Sequence, residues 1–147
     1  MPGYAIEGSQ NAAAATTILG FTRGAAKRIR VFYLTVGSAA TPADQANNMM
    51  LVRSTAAGTS TAVTPRALDP ADGPAVTTAG HDHTVEPTYT ADSELLSFSF
   101  NTRANYQWYA NPGRELVVPD TALNGLGLRF IVATGTQLHE ASLHFEE

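Results

Sequence analysis

Leu95 to Thr102 reads LLSFSFNT, which places Leu96, Phe98 and Phe100 on one side of an extended chain and Ser97, Ser99 and Asn101 on the other. A two-residue repeat of apolar and polar side chains marks a strand with one face in a core and one in water. A helix would need apolar residues three and four apart instead. A second strand is read at Lys27 to Val36, KRIRVFYLTV, with Ile29, Val31, Tyr33 and Thr35 on one face and Arg28, Arg30, Phe32 and Leu34 on the other, half exposed at its start and expected to be buried on both faces further on. Working outward, further strands are expected at Thr17 to Phe21, Met49 to Thr55, Tyr106 to Ala110, Glu115 to Val118, Leu126 to Ala133 and Ser142 to Glu146. Turn residues punctuate them: Gly37-Ser38, Gly58, Asn111-Pro112-Gly113, Asn124-Gly125 and Gly135. These supply the fixed or left-handed φ values that tight turns need. About eight short strands broken in this way predict an all-β fold, an antiparallel β-sandwich or jelly roll.

Three stretches fall outside that pattern. Thr41-Pro42-Ala43-Asp44 offers an N-cap and a first-turn proline for a short helix, although Asn47 and Asn48 limit its extent. Asn11 to Ala15 is alanine-rich, but five residues cannot form a stable helix alone, so residues 1–15 are expected to be an N-terminal arm of loose structure. Residues 56–90 carry four prolines, at 65, 70, 74 and 87. Each proline removes a ladder donor, so a long central strand is excluded there. The segment nevertheless keeps Ala, Val, Thr and Tyr and lacks the charge of a disordered tail. It is expected to be an ordered, extended, Pro-rich excursion, stabilised by lying against another subunit. Thr64, Pro65, Leu68, Val76, Val85 and Tyr89 are its contact candidates.

The 147 residues form one domain, 1–147, long enough to bury roughly 68 to 70% of the unfolded chain's surface. With no Cys there is no disulfide scaffold, thiolate metal site or cysteine nucleophile. A net charge of -4, from 9 Lys+Arg and 13 Asp+Glu, gives no broad positive field for nucleic acid or an anionic membrane. Apolar runs such as Phe130 to Ala133 are far below the ~20 residues of a membrane span. MPGYAIEGSQ has neither a basic n-region nor an apolar h-region, so no secretory leader is expected.

Chemistry-bearing patterns are sparse. HDHTVE at 81–86 is the only local cluster of metal-ligand types; His81 and His83 would share a face of an extended segment, but a further ligand could come only from Glu86 or a distant His139 or His144, so no metal is expected. Serines lack a G-x-S-x-G elbow, and there is neither G-x-G-x-x-G before a helix nor a phosphate loop. The carboxylate pairs Asp69 with Asp72 and Glu146 with Glu147 read as solvated turn and terminal residues. No catalytic residue, cofactor or enzymatic activity is expected. Tyr106, Trp108 and Tyr109 admit two readings: core packing, expected for the sole tryptophan, and an exposed sugar-stacking face.

RSTAAGTSTAVTPRALDPAD at 53–72, EPTYT at 86–90 and NPGRELVVPDTALNGLGLRF at 111–130 together resemble the capsid cement, or decoration, proteins of tailed double-stranded DNA phages, over most of the chain after Arg53. The resemblance implies a β-sandwich or jelly roll made in the bacterial host cytoplasm and carried on the outer surface of the virion head. There it would bridge and stabilise major capsid protein subunits as a homotrimer. Some cement proteins lace their neighbours with a long arm. Here the arm before Thr16 is short, and the 56–90 excursion is the alternative lace. The competing function is a carbohydrate-binding or host-adhesion module on a phage head or tail fibre, using Tyr106, Trp108 and Tyr109.

Overall fold

The computed structural model describes residues 1–22 and 27–147. Two antiparallel sheets share one core in a sandwich-like, all-β arrangement, with no helix among the described residues. The strands are β1 (Gly3–Asn11), β2 (Thr17–Thr22), β3 (Ile29–Ser38), β4 (Ala46–Ala56), β5 (Thr59–Val63), β6 (Arg66–Ala67), β7 (Thr78–Val85), β8 (Thr88–Asn101), β9 (Asn105–Tyr109), β10 (Leu116–Val118), β11 (Gly125–Val132) and β12 (Leu138–Glu146). The first sheet runs β10-β3-β12-β1-β6, with β9 also on β3. The second runs β5-β7-β2-β11-β4-β8.

Side chains from both sheets meet between them. Phe21 of the second sheet stacks on Phe145 of the first at 5.6 Å and 7°, and Tyr4 stacks on the same Phe145 ring. The alternation of LLSFSFNT is realised: Phe98 and Phe100 are buried, Leu96 is half-buried, and Ser97, Ser99 and Asn101 are exposed. The Phe98 ring of β8 also lies parallel to Tyr106 of β9 at 3.8 Å, a contact between the two sheets.

Four expectations are corrected. Residues 3–11 are not a loose arm. They form β1, which pairs with β12 at nine positions from Gly3–Glu146 to Asn11–Leu138, and which buries Tyr4 and Ile6. Only those two large apolar residues carry its alternation, because the next inward position is Gly8; a Cβ there would stand 2.3 Å from that of His81. Residues 41–48 are not helical: Thr41 has φ 46° and β4 begins at Ala46. In β3 the buried residues are Ile29, Val31, Leu34 and Val36, not a single alternating set. The register with β12 slips at this point, His144 pairing Tyr33 and Phe145 pairing Val31, so Phe32 is the extra residue of a bulge that switches faces.

The fourth correction concerns 56–90. This segment is extended and ordered, as expected, but it is built into the sheets and is not a projection from them. β4 and β5 run in succession along β8 and β7, with Ala46 opposite Asn101, Ala56 opposite Thr88, Thr59 opposite Val85 and Val63 opposite Ala79. Its prolines all fall between strands. In this two-stranded ribbon β4 also pairs β11, while β7 also pairs β2. The ribbon therefore crosses the β2–β11 pair, and close approach is secured at Gly127, where a Cβ would lie 2.1 Å from the Tyr89 hydroxyl.

Candidate functional site

The ribbon crossing gathers a set of polar side chains. The Glu86 carboxylate accepts the Thr17 amide at 3.0 Å and the Thr17 hydroxyl, which also meets the Tyr89 hydroxyl. Arg129 lies over the Tyr89 ring at 4.6 Å. Burial pushes the Tyr89 phenol well above its ordinary range. His83 donates from Nδ1 to the Thr17 carbonyl oxygen at 3.1 Å, and burial pulls its pKa below the usual imidazole value. Every strong contact of this cluster goes to another strand of the same fold, so it fastens the ribbon to β2.

His81 and His83 do not share one ligand position. Asp82 between them adopts φ 52°. His81 packs on Gly8 beside Leu19, with Nδ1 at 3.2 Å from the Ser9 carbonyl oxygen, whereas His83 lies on Gly20, the opposite side of β2 from Leu19. Among the described residues no three His, Asp or Glu side chains converge in a metal-like group. Asp69 caps its own turn by accepting the Ala71 amide. Glu147, in contrast, is not a solvated terminal residue. It is 4% exposed, and its carboxylate accepts from the Val76 and Thr77 amides and the Thr77 hydroxyl.

The contact candidates divide by exposure. Leu68 and Val85 are exposed at 48% and 57%, and Thr64 is also exposed. Pro65 and Val76 are half-buried, and Tyr89 is held in the ribbon crossing. All belong to the segment that adds β5, β6 and β7 to the sheet margins.

Tyr106, Trp108 and Tyr109 do not make one face. Tyr106 is stacked on Phe98, and Trp108 is half-buried against the core opposite Leu34. Tyr109 projects the other way and is 65% exposed. There it joins residues that the alternation misassigned. The Phe32 bulge puts Tyr33 on the outer face, its ring 4.8 Å from Tyr109 and 4.7 Å from His144. Phe32 approaches His144 edge-on at 6.0 Å. The signal available in the sequence was the spacing of buried apolar residues at 29, 31, 34 and 36, which skips one position.

Pairing across β1, β12, β3 and β9 turns this face into rows: Ala5, His144, Tyr33 and Tyr109; then Glu7, Ser142, Thr35 and Gln107; then Ser9, Glu140, Gly37 and Asn105. A groove of about 960 Å³ covers the second and third rows, walled by Ala62–Thr64 and Arg66 on one side and Asn105 on the other. Short side chains make its floor. Glu7 pairs with Arg66 at 3.5 Å across the wall. No helix among the described residues is long and apolar enough to cross a membrane. Comparison with known proteins finds no matching family model, no matching curated protein and no matching solved structure.

Proposed function

We propose that the chain is a jelly roll serving as a structural virion protein, which decorates the head of a tailed double-stranded DNA phage by bridging major capsid protein subunits. The observation that supports this reading is the pairing order. β1 pairs β12, β2 pairs β11, β3 pairs β9 and β4 pairs β8, so the chain's first four strands meet its later ones in reverse order, as in one long antiparallel ribbon rolled into two sheets. Rolled ribbons of this type recur in viral capsid and lectin domains. A fold alone assigns no function; the phrases at 53–72, 86–90 and 111–130 supply the phage direction.

Of the four strands outside these eight, β10 pairs β3, while β5, β6 and β7 form a margin with the free edge of β5 and the exposed Leu68 and Val85. This margin is the proposed capsid contact, reused by cyclic symmetry in a homotrimer. A contact shared by several shell subunits exists only after assembly, and linked weak patches then add to a tight grip. Replacing all of 56–90 would remove three strands, so surface substitutions are the better test. In co-sedimentation, DNA-free heads are expected to bind the protein while unassembled capsid subunits do not. Leu68→Asp with Val85→Asp is expected to weaken head binding at least tenfold at unchanged melting temperature. Equal binding by free subunits, or full binding by the double variant, would overturn the reading. Light scattering that finds monomers or dimers, both free and on heads, would remove the trimer.

A further inference from the structure

The outer face of β9, β3, β12 and β1 carries three rings in contact, Tyr109 exposed and Tyr33 and His144 half-buried. Tyr109, Tyr33 and His144 come from three different strands and lie in one cross-strand row, with successive centroids 4.8 and 4.7 Å apart. The steps follow the spacing of neighbouring strands, and the rings are tilted 42° and 53° to one another, so they form a stepped apolar surface with Tyr109 outermost. A sugar ring has a face of C–H bonds that packs on an aromatic ring and a rim of hydroxyls that needs hydrogen-bond partners. Tyrosine suits such a position because its ring is apolar and its tip is polar.

The partners for the hydroxyls stand in the adjoining rows. Glu7, Glu140, Gln107 and Asn105 offer carboxylates and amides, and Thr35 and Ser142 offer hydroxyls. A carboxylate accepts hydroxyl hydrogen bonds more strongly than a neutral oxygen does. The floor beneath is kept low by Ala5 and Gly37, where a Cβ at 37 would already press on Asn105 at 3.3 Å. Arg66 is the only Lys or Arg of the groove lining, and it meets Glu7 at 3.5 Å with both side chains exposed. Glu140 has no ion-pair partner among the described residues. The excess of negative charge selects against anionic ligands.

We infer that this face is a binding site for a neutral glycan, with Tyr109, Tyr33 and His144 as its stacking ledge and the Glu7–Glu140 groove as its hydroxyl-binding floor. The inference does not depend on the head-surface reading, since it is tested on the isolated protein, although Ala62–Thr64 and Arg66 of the proposed capsid margin also wall the groove. The site differs from the face expected from Tyr106, Trp108 and Tyr109, of which only Tyr109 takes part.

Native electrophoresis through gels cast with a soluble β-glucan, an α-glucan, a galactomannan, an arabinoxylan or the anionic polygalacturonate tests it without phage heads. Retardation is expected in at least one neutral gel and not in the anionic one. Tyr109→Ala, at a position exposed enough to leave the melting temperature unchanged, is expected to weaken that retardation at least tenfold. Glu140→Gln is expected to weaken it about threefold or more. Parental mobility in all five gels, retardation by polygalacturonate alone, or retardation that survives Tyr109→Ala would each overturn the site.

Discussion

Glu147 is buried because three donors of one segment meet its carboxylate there. The Val76 and Thr77 amides have no other partner in the strand ladders, and a buried donor left unsatisfied costs about 1–3 kcal/mol. Glu147→Gln, which turns an amide N–H toward those donors, is expected to lower the unfolding free energy by about 2 kcal/mol. Urea denaturation measures this, and a loss below about 0.5 kcal/mol would refute the anchoring role. His139 is the neutral counterpart. It is fully buried, accepts from the Asn47 side chain at Nε2 (3.1 Å) and donates from Nδ1 to the Gln137 carbonyl at 2.9 Å, edge-on to Phe100 and Phe130. Burial lowers its pKa despite the Gln137 carbonyl. Burial does the same at His83, against the opposing Glu86 charge, and at His144. Between each depressed value and the ordinary imidazole value near 6.5, the unfolded chain binds more protons than the folded one. Stability from these residues is therefore complete above about pH 6.5 and lost as pH falls below it. Denaturant midpoints at pH 7.5 and 5.5 are expected to show the lower stability at 5.5. A flat or rising trend toward acid would contradict the burial of neutral imidazoles.

The bulge in β3 is the element whose geometry was least visible in advance and has the most consequence. Eight strands were legible from alternation and turn residues, because the two-residue period reports directly which side chains face a core. The same period cannot report a residue inserted without a partner. One alternation throughout KRIRVFYLTV puts Tyr33 on the face of Ile29 and Val31, whereas the bulge turns it outward. β1 is hidden for a related reason: its inward Gly8 removes the apolar beat after Ile6. The bulge makes an unusual expectation about deletions. Removing Phe32 restores continuous pairing, since Val31 and Tyr33 already face the consecutive residues Phe145 and His144. Removing Thr35, in the regular part of the strand, turns Val36 outward while Leu34 stays inward. The Phe32 deletion is expected to fold with a near-parental circular dichroism spectrum, and the Thr35 deletion to be insoluble or unfolded. Equal tolerance of both deletions would show that register is not fixed where the pairing places it.

At the scale of the whole molecule, alternation says which face a strand buries but not which neighbour it takes, so the order of the two sheets was not legible. The aromatic ledge was hidden for the same reason, being assembled from residues 33, 109 and 144 through pairings of long sequence separation. Those pairings also set how the molecule bears load. β1 and β12 lie side by side with Gly3 opposite Glu146. Their hydrogen bonds run perpendicular to the strands. Tension applied between residues 3 and 146 therefore meets one pair of bonds at a time and peels the ladder open like a zip. Tension between residues 3 and 138 loads all nine paired positions together in shear. Single-molecule pulling with handles at 3 and 146 is expected to rupture the fold at a force several-fold lower than with handles at 3 and 138, and equal forces would contradict the ladder. The protein is thus mechanically anisotropic: soft when tension separates the neighbouring ends of β1 and β12, and stiff when tension runs along those strands.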